Sequence, residues 1–243
     1  MPSKVEHVKS WFENPDKYLG RRRFDIQVRI ETVQEFTKDE SFDRVLDVGC
    51  GDGSISLPLL NRSKQITLLD LSANMLAIAR DKIPPDRAND VKLINSSFLD
   101  ANLESRSFDL ILCIGVLAHV DSPRAVIAEI DRIAKPGACV IVEFTDSSHL
   151  WGMPDLLYQK VMRVVRPAPY STNRLNNEGI VQLLHENGLH PVGVYRYGLP
   201  PAGTHKIARQ DQMYRLTRFL FGASNQNRNK WMGNEFIYCL EKR

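Results

Sequence analysis

Short apolar runs alternate along the chain with longer segments whose apolar residues recur at helical spacing. The first five apolar runs continue without alternating with polar positions, which predicts parallel strands that helices cover on both faces. Two later runs are predicted to form further strands. The predicted strands are residues 44–48, 65–70, 91–95, 108–114, 138–144, 190–197 and 235–241.

Three helices between these strands have recognisable ends. Ser72 can cap the first helix, and Ser122, followed by a proline, can cap the second, which Pro136 would end. The third helix covers residues 176–187, and Gly188 suits the left-handed cap that follows it. This alternation predicts a doubly wound α/β sheet, whose ligands bind beyond the carboxyl ends of the strands.

The composition is that of a folded protein, since 43% of the 243 residues are hydrophobic and can fill a substantial core. A net charge of +3 argues against a protein built around nucleic acid. The four cysteines lie far apart and no histidine has metal-ligand spacing, so we expect neither a metal site nor a disulfide scaffold. Without a signal peptide or an apolar run of membrane-spanning length, we expect a cytoplasmic protein with no membrane partner, either monomer or homodimer.

The stretch LDVGCGDGS, residues 46–54, places three glycines after the first apolar run. Glycine lets a ligand approach the main chain, although a tight turn uses the same residues. A short helix over residues 54–60 is predicted to follow. A dinucleotide site would have glycines in the pattern G-x-G-x-x-G, but Ser54 occupies the expected slot of the third glycine. Asp47, just before the loop, would repel a pyrophosphate and suits a ligand with positive charge.

Four stretches in this order resemble the motifs of class I S-adenosylmethionine-dependent methyltransferases. They are VLDVGCGDGSISLPL, LLDLSANMLAIAR, FDLILCIGVLAHV and RIAKPGACVIVEF. The resemblance implies one Rossmann-like domain over residues 1–243, with a seven-stranded sheet whose last strand is antiparallel. It further implies an N-terminal helical lid (1–40), a cofactor-binding core (41–145) and a substrate side with insertions after strands five and six (146–243).

The resemblance also implies which residues hold S-adenosylmethionine and its product S-adenosylhomocysteine. Asp47 would orient the amino group, and the glycines behind it would admit the amino acid and ribose portions. Asp70 would accept both ribose hydroxyls, although an acidic residue there also suits the start of a helix. The residues assigned to the cofactor are Tyr18, Arg23, Asp47, Gly49, Gly51, Asp70, Leu71, Met75, Ser97, Phe98, Cys113 and Ile114.

Several of these assignments have alternatives. Met75 would face the adenine, but a methionine at helical spacing also suits the core. Ser97 stands where the family often carries an acidic residue for the adenine amino group. Cys113 would border the methionine portion through its carbonyl, while its side chain could be an apolar filler. Tyr18 and Arg23, in the predicted lid, would close over the methionine end.

Methyl transfer from a sulfonium requires acceptor, carbon and sulfur in line in a dry pocket. A hydroxyl acceptor gains from a nearby base, for which His119 is the candidate, whereas a neutral amine needs little help. Histidine in this motif is often structural. Residues 146–173 and 198–232 are rich in aromatic and histidine residues, which suits an acceptor pocket. The acceptor candidates are His149, Tyr158, Tyr170, Tyr197 and His205.

The function that the sequence favours is methylation of an oxygen or nitrogen of a small molecule, in the biosynthesis of a specialised metabolite. Methylation of RNA is the alternative within the class, and both the modest charge and the absence of a [DN]-PP-[YFW] tetrapeptide argue against it. Two other classes stay open. A nicotinamide-dependent oxidoreductase would need the other glycine spacing, and a catalytically silent cofactor-binding partner would lack an acceptor pocket.

Overall fold

The computed structural model describes residues 10, 13, 23–146, 173, 175–198 and 209–243. Helices α1 to α5 span Arg23–Phe36, Ala73–Asp81, Pro123–Ile133, Asn177–Glu186 and Gln210–Phe221. Strands β1 to β7 span Phe42–Val48, Ser63–Asp70, Val91–Asn95, Phe108–Cys113, Ala134–Thr145, Leu189–Tyr197 and Glu235–Lys242. Short 3-10 helices cover Leu57–Arg62, Pro85–Asp90, Ser224–Gln226 and Lys230–Met232.

The strands form one mixed sheet in the order β3-β2-β1-β4-β5-β7-β6. Neighbours from β3 to β5 are parallel, whereas β7 runs antiparallel to both β5 and β6. Strands β2 and β3 lie on one side of β1, and β4 and β5 lie on the other. Open α/β sheets form a ligand crevice at such a point, beyond the carboxyl ends of the strands. The predicted seven-stranded sheet with an antiparallel last strand is confirmed.

Helices cover both faces of the sheet, as the continuous apolar strands predicted. On one face, α3 and α4 contribute residues such as Ile130 and Leu184 to a buried apolar cluster. On the other face, α1, α2 and α5 contribute Val28, Leu76 and Phe221 to a second cluster. We call this second side of the sheet the α1 face.

The helix ends follow from the local sequence. The Ser72 hydroxyl accepts a hydrogen bond from the Met75 amide (3.2 Å), and the Ser122 hydroxyl accepts one from the Ala125 amide (3.1 Å). Helix α4 ends before Gly188, whose φ of +65° is the left-handed conformation that glycine adopts at little cost. The predicted starts of α2 and α3 and the predicted end of α4 are confirmed.

The predicted helix over residues 54–60 is wrong in type and position. The Gly53 amide donates to the Cys50 carbonyl (3.0 Å), which closes a turn immediately after the glycines. A 3-10 helix then begins only at Leu57. Pro58 lies in its first turn, where its missing amide hydrogen leaves no bond unmade.

Two strands also differ from prediction. Strand β5 begins at Ala134, so Pro136 lies inside the strand instead of ending α3 in a turn. A register shift in the pairing of β4 with β5 accommodates this early start. Strand β3 is one of the two edge strands and none of its residues is fully buried, so the prediction that helices cover both of its faces is wrong.

Candidate cofactor site

The glycine loop follows β1 at the carboxyl edge of the sheet. The amides of Gly49 and Cys50 both donate to the Leu69 carbonyl of β2, at 2.8 and 3.0 Å, which pins the loop to the neighbouring strand. Gly49 and Gly51 have φ angles of +66° and +54°. Apart from its chain neighbours, no atom of the described residues would lie within 4 Å of a β-carbon built on Gly51, whereas one built on Gly49 would meet Val116 at 2.6 Å. At Gly51 the loop therefore presents bare backbone to open space.

Asp70 ties this loop to the start of α2. Its Oδ2 accepts from the Gly51 amide (2.8 Å) and its Oδ1 accepts from the Ser72 amide (2.8 Å). Burial raises the pKa of Asp70, and the two amides oppose that shift. Each carboxylate oxygen has two lone pairs, so the half-buried side chain can accept further hydrogen bonds from a ligand.

Asp47 has the most unusual environment of the loop. Its side chain is buried, and its Oδ2 has no hydrogen-bond partner among the described residues. Burial raises the pKa of Asp47 to about 7, and the charges of Asp70 and Asp52 add to the shift. The Ser56 hydroxyl lies close enough to oppose it, but its geometry falls short of a hydrogen bond. A cationic ligand group would supply the missing partner of Oδ2 and favour the charged carboxylate.

The turn after β4 lies beside the loop. Cys113 is buried in the core, and Ile114 is 7% exposed before the chain turns at Gly115, whose φ is +73°. Burial, and after it the charges of Asp47 and Glu143, raises the pKa of the Cys113 thiol above its usual range. The Cys113 side chain therefore behaves as an apolar filler, and Cys113 could contact a ligand only through its main chain.

His119 is half-buried in the loop that continues this turn. Sequence reasoning missed the residue that holds the loop, Asn173. Its Nδ2 donates to the carbonyls of Leu117 (2.9 Å) and Val120 (2.7 Å), and its amide donates to the Ala118 carbonyl (2.9 Å). No local signal marks Asn173, because its partners lie more than fifty residues away in the sequence.

A family model described as a methyltransferase domain matches residues 46–142. The matched range includes the glycine loop, Asp70 and the turn after β4. Residues 46–142 form a methyltransferase domain. The resemblance that the sequence motifs carried is thereby confirmed.

A ubiquinone biosynthesis O-methyltransferase of Idiomarina loihiensis is 33% identical to the chain over 111 residues, which are 45% of this chain and 45% of that protein. The chain thus matches less than half the length of this relative. A possible histamine N-methyltransferase of Thermotoga maritima has a similar structure, with a TM-score of 0.69 and 17% identity over 99% of this chain and all of that one. Magnesium protoporphyrin IX methyltransferase of Synechocystis PCC 6803, solved with bound SAH, is also similar, with a TM-score of 0.70 and 15% identity over 99% of this chain and all of that one. At these identities the two structures support the fold.

The sequence resemblance assigned Leu71, Met75, Ser97 and Phe98 to the adenine. Leu71 is half-buried and could contact a ligand, whereas Met75 and Phe98 are buried. The Ser97 hydroxyl donates to Oδ2 of Asp100 (2.5 Å). The family often carries an acidic residue where this chain has Ser97, and the structure places the Asp100 carboxylate against the Ser97 hydroxyl.

A second group of charged side chains lies at the same edge of the sheet, on the α1 face. It consists of Asp25, Arg29, Glu143, Tyr197 and Glu235, and we call it the buried ionic cluster. Arg29 Nε donates to Glu143 Oε1 (2.9 Å), and Nη2 lies 2.8 Å from Oε2 of the same carboxylate. Arg29 Nη1 is 3.6 Å from Asp25 Oδ2.

Tyr197 and Glu235 complete this cluster. The Tyr197 hydroxyl lies 2.8 Å from Asp25 Oδ1 and 3.1 Å from Glu143 Oε1. The Thr145 hydroxyl approaches both oxygens of Glu235, at 2.8 and 2.9 Å. Burial, reinforced by the charges of Glu143 and Asp25, raises the pKa of Glu235 to about 8. Tyr197 is fully buried and its hydroxyl is already hydrogen-bonded within the cluster. Its contact with an acceptor stays a prediction.

Several predicted site residues lie outside the described residues. They are Tyr18, His149, Tyr158, Tyr170 and His205. Arg23 begins α1, but its side chain also lies outside what is described. One contact bears on the predicted lid, since the Glu13 carbonyl accepts from Asn74 Nδ2 (2.9 Å) beside the start of α2. Within the described ranges, no helix could cross a membrane, and no three His, Cys, Asp or Glu side chains could hold a metal ion.

Proposed function

We propose that this chain is an S-adenosylmethionine-dependent methyltransferase that methylates a small molecule on oxygen or nitrogen. The observation that carries the proposal is the buried Oδ2 of Asp47, which has no hydrogen-bond partner among the described residues and lies near the open backbone at Gly51. This pairing suits a ligand with a cationic amino group and a portion that presses against main chain. It does not suit a pyrophosphate, which the carboxylate would repel.

The residues of the loop fit the parts of this cofactor. Asp47 would bind the amino group, and the backbone at Gly51 would admit the ribose. Asp70, which keeps free lone pairs, would accept the ribose hydroxyls. Leu71, with Met75, Ser97 and Phe98 behind it, would border the adenine, as Cys113 and Ile114 would border the methionine portion through their main chain. When bound, the cofactor supplies an electrophilic methyl group on a sulfonium.

The chain's own task is to align the acceptor and to take up its proton. Bringing the reacting groups together in a dry site supplies most of the acceleration that such a displacement needs. His119 is our candidate for the proton acceptor when the nucleophile is a hydroxyl. In that case His119→Ala should slow turnover by about 100-fold, and an amine acceptor should be methylated at nearly the normal rate. Formation of S-adenosylhomocysteine with matched hydroxyl and amine acceptors measures this difference.

The names of the curated relatives favour an oxygen acceptor, since two of them are ubiquinone biosynthesis O-methyltransferases. They do not support our sequence-based ranking of specialised metabolites above quinone precursors. We therefore propose an acceptor hydroxyl on a small, partly apolar molecule and keep both biosynthetic roles. Screening phenols, sugars, polyketides and quinone precursors against the purified protein would separate them.

Binding titrations test the cofactor directly. Calorimetry should show that the protein binds S-adenosylmethionine and S-adenosylhomocysteine and ignores NADH. The Asp52→Ala variant is a control in the same loop, because Asp52 contacts Lys82 and Ser54 and is not assigned to the cofactor. Binding of NADH without binding of the methyl donor would refute the proposal. Donor binding without turnover across the acceptor panel would favour a silent cofactor-binding partner.

A further inference from the structure

The buried ionic cluster has no role in the chemistry described so far. Its side chains are nearly inaccessible, with exposures of 0% for Asp25 and Tyr197, 6% for Arg29, 1% for Glu143 and 2% for Glu235. Burying charges is costly, and apolar residues of similar volume often stabilise a core equally well. Stability alone is therefore a weak reason for this cluster. Its place in the fold is more informative.

The strand register puts Glu143 on the same face and at the same edge as Asp47. Asp47 pairs with Leu112 and Leu112 with Ile141, and paired residues of neighbouring parallel strands point to the same side. Glu143 follows Ile141 by two residues, so it shares that side one step nearer the carboxyl edge. Only strand β4 lies between β1, which carries Asp47, and β5, which carries Glu143. The cluster thus borders the candidate cofactor site.

Arg29 makes the closest approach from the cluster to that site. A β-carbon built on Gly115 would lie 3.6 Å from Nη2, 3.7 Å from Nη1 and 3.8 Å from Cζ of Arg29. These nearly equal distances place the flat guanidinium across the turn. Gly115 directly follows Ile114, whose main chain is assigned to the methionine end of the methyl donor.

We propose that Arg29 is a positioning residue: Glu143 holds its guanidinium, which fixes the turn at Gly115 and so the backbone that borders the methionine end of the donor. The inference rests on the proposed function, because the turn at Gly115 borders the donor only if the chain binds S-adenosylmethionine. Arginine suits this role since its planar fork can contact both carboxylate oxygens and lie flat on a backbone, which a lysine ammonium cannot do. The contact also couples helix α1, next to the predicted lid, to the donor site.

The main test replaces both partners of the ion pair, in the double variant Arg29→Met with Glu143→Leu, so that Glu143 does not stay buried without its cation, while Asp25 keeps the hydrogen bond from the Tyr197 hydroxyl. The matched control is Arg218→Met with Glu31→Leu. That pair joins the same helix α1 to α5. The three atoms nearest a β-carbon built on Gly115 all belong to Arg29 and none to this pair. Three quantities are compared: the melting temperature, amide hydrogen exchange over residues 115–120 without ligand, and affinities for S-adenosylmethionine and S-adenosylhomocysteine by calorimetry.

The Arg29 double variant should melt near the control, exchange the 115–120 amides about tenfold faster and bind both ligands about tenfold more weakly. The control should keep wild-type exchange and affinity. A folded double variant with wild-type exchange and affinity overturns the inference. If it fails to fold, Arg29→Lys keeps the charge and loses the planar fork, and normal exchange in that variant overturns the inference equally. If the wild type binds no methyl donor, the proposed function fails, and the exchange experiment still shows whether Arg29 fixes the turn.

Discussion

Two groups of buried carboxylates meet at the carboxyl edge of the sheet, and they differ in what satisfies them. In the glycine loop, Asp47 Oδ2 has no hydrogen-bond partner among the described residues. Each carboxylate oxygen of Asp70 accepts a hydrogen bond from one backbone amide. In the buried ionic cluster, Glu143 Oε1 accepts a hydrogen bond from Arg29 Nε, and Oε2 lies 2.8 Å from Arg29 Nη2 as an ion pair whose geometry falls short of a hydrogen bond. Among the described residues, Asp47 therefore has no cation beside it, whereas Glu143 has its own arginine.

This difference predicts opposite responses to the loss of charge. A carboxylate that awaits a ligand costs stability in the ligand-free protein, so removing its charge should stabilise the fold and weaken binding. A carboxylate that is already paired should destabilise the fold when its partner is lost. Each variant below tests one side of this contrast.

The largest effect is expected for Arg29→Met alone. The change leaves Glu143 buried beside Asp25 without its cation, which should reduce the free energy of unfolding by about 3 to 5 kcal/mol. Urea denaturation at pH 7 measures it, with Arg218→Met as the control at a more exposed pair. A loss below about 1 kcal/mol would mean that Glu143 takes up a proton at little cost, and the cluster would then not be a paired unit.

Asp47→Asn should show the opposite sign and a pH dependence. The pKa of Asp47 is about 7 in the folded protein against 3.8 for an unperturbed aspartate, so the folded state holds an extra proton between these values. The contribution of Asp47 to stability should therefore fall as pH rises from about 4 to 7, by about 4 kcal/mol at most, and stay level above that range. The Asn variant lacks this titration, so its advantage should grow over the same range.

Ligand-free denaturation of both proteins from pH 4 to 8 measures this advantage. Asp52→Asn is the control, because it loses an ion pair with Lys82 and should be less stable than wild type at pH 7. A pH-independent difference between wild type and Asp47→Asn would show that Asp47 is ionised throughout and already has a partner.

The two regions also differ in how far the sequence reveals them. The glycine loop and the helix caps are local in sequence. Asp47, Gly51 and Asp70 lie within 24 residues, and Ser72 caps the helix that begins at the next residue. The buried ionic cluster joins Arg29 to Glu143 across 114 positions and Tyr197 to Asp25 across 172. No local pattern encodes such pairs. The remaining hint was Glu143 inside an otherwise apolar strand, where a charge needs a partner.

The departures in the fold have the same origin. Residues 54–60 contain good apolar spacing, but the turn at Gly53 and the position of Pro58 select a short 3-10 helix. Strand β3 has the composition of a buried strand, yet its place in the sheet order leaves it at the edge. Both outcomes depend on neighbours in space that periodicity does not report.

Asp70→Ala should weaken binding of S-adenosylmethionine by about 1.5 to 3 kcal/mol, the usual range for hydrogen bonds to a charged group. The variant also loses the acceptor of the Gly51 and Ser72 amides, so part of the effect could come from a loosened loop. Asp70→Asn separates the two causes, since its amide oxygen can still accept one of these bonds. Calorimetry that finds wild-type affinity in the Ala variant would remove Asp70 from the cofactor site.

The smallest change in stability is expected for Gly51→Ala, and it isolates the open space at the loop. Its φ of +54° should cost about 1 to 2 kcal/mol with a β-carbon, but in the described part of the chain no atom beyond its two chain neighbours lies within 4 Å to clash. Gly137→Ala is a matched control at the start of β5, with a φ of +77° and equally open surroundings. Thermal unfolding should give similar losses for both, whereas calorimetry should show weakened donor binding only for Gly51→Ala. Equal donor affinity in the two variants would mean that the space beside Gly51 faces solvent and holds no ligand.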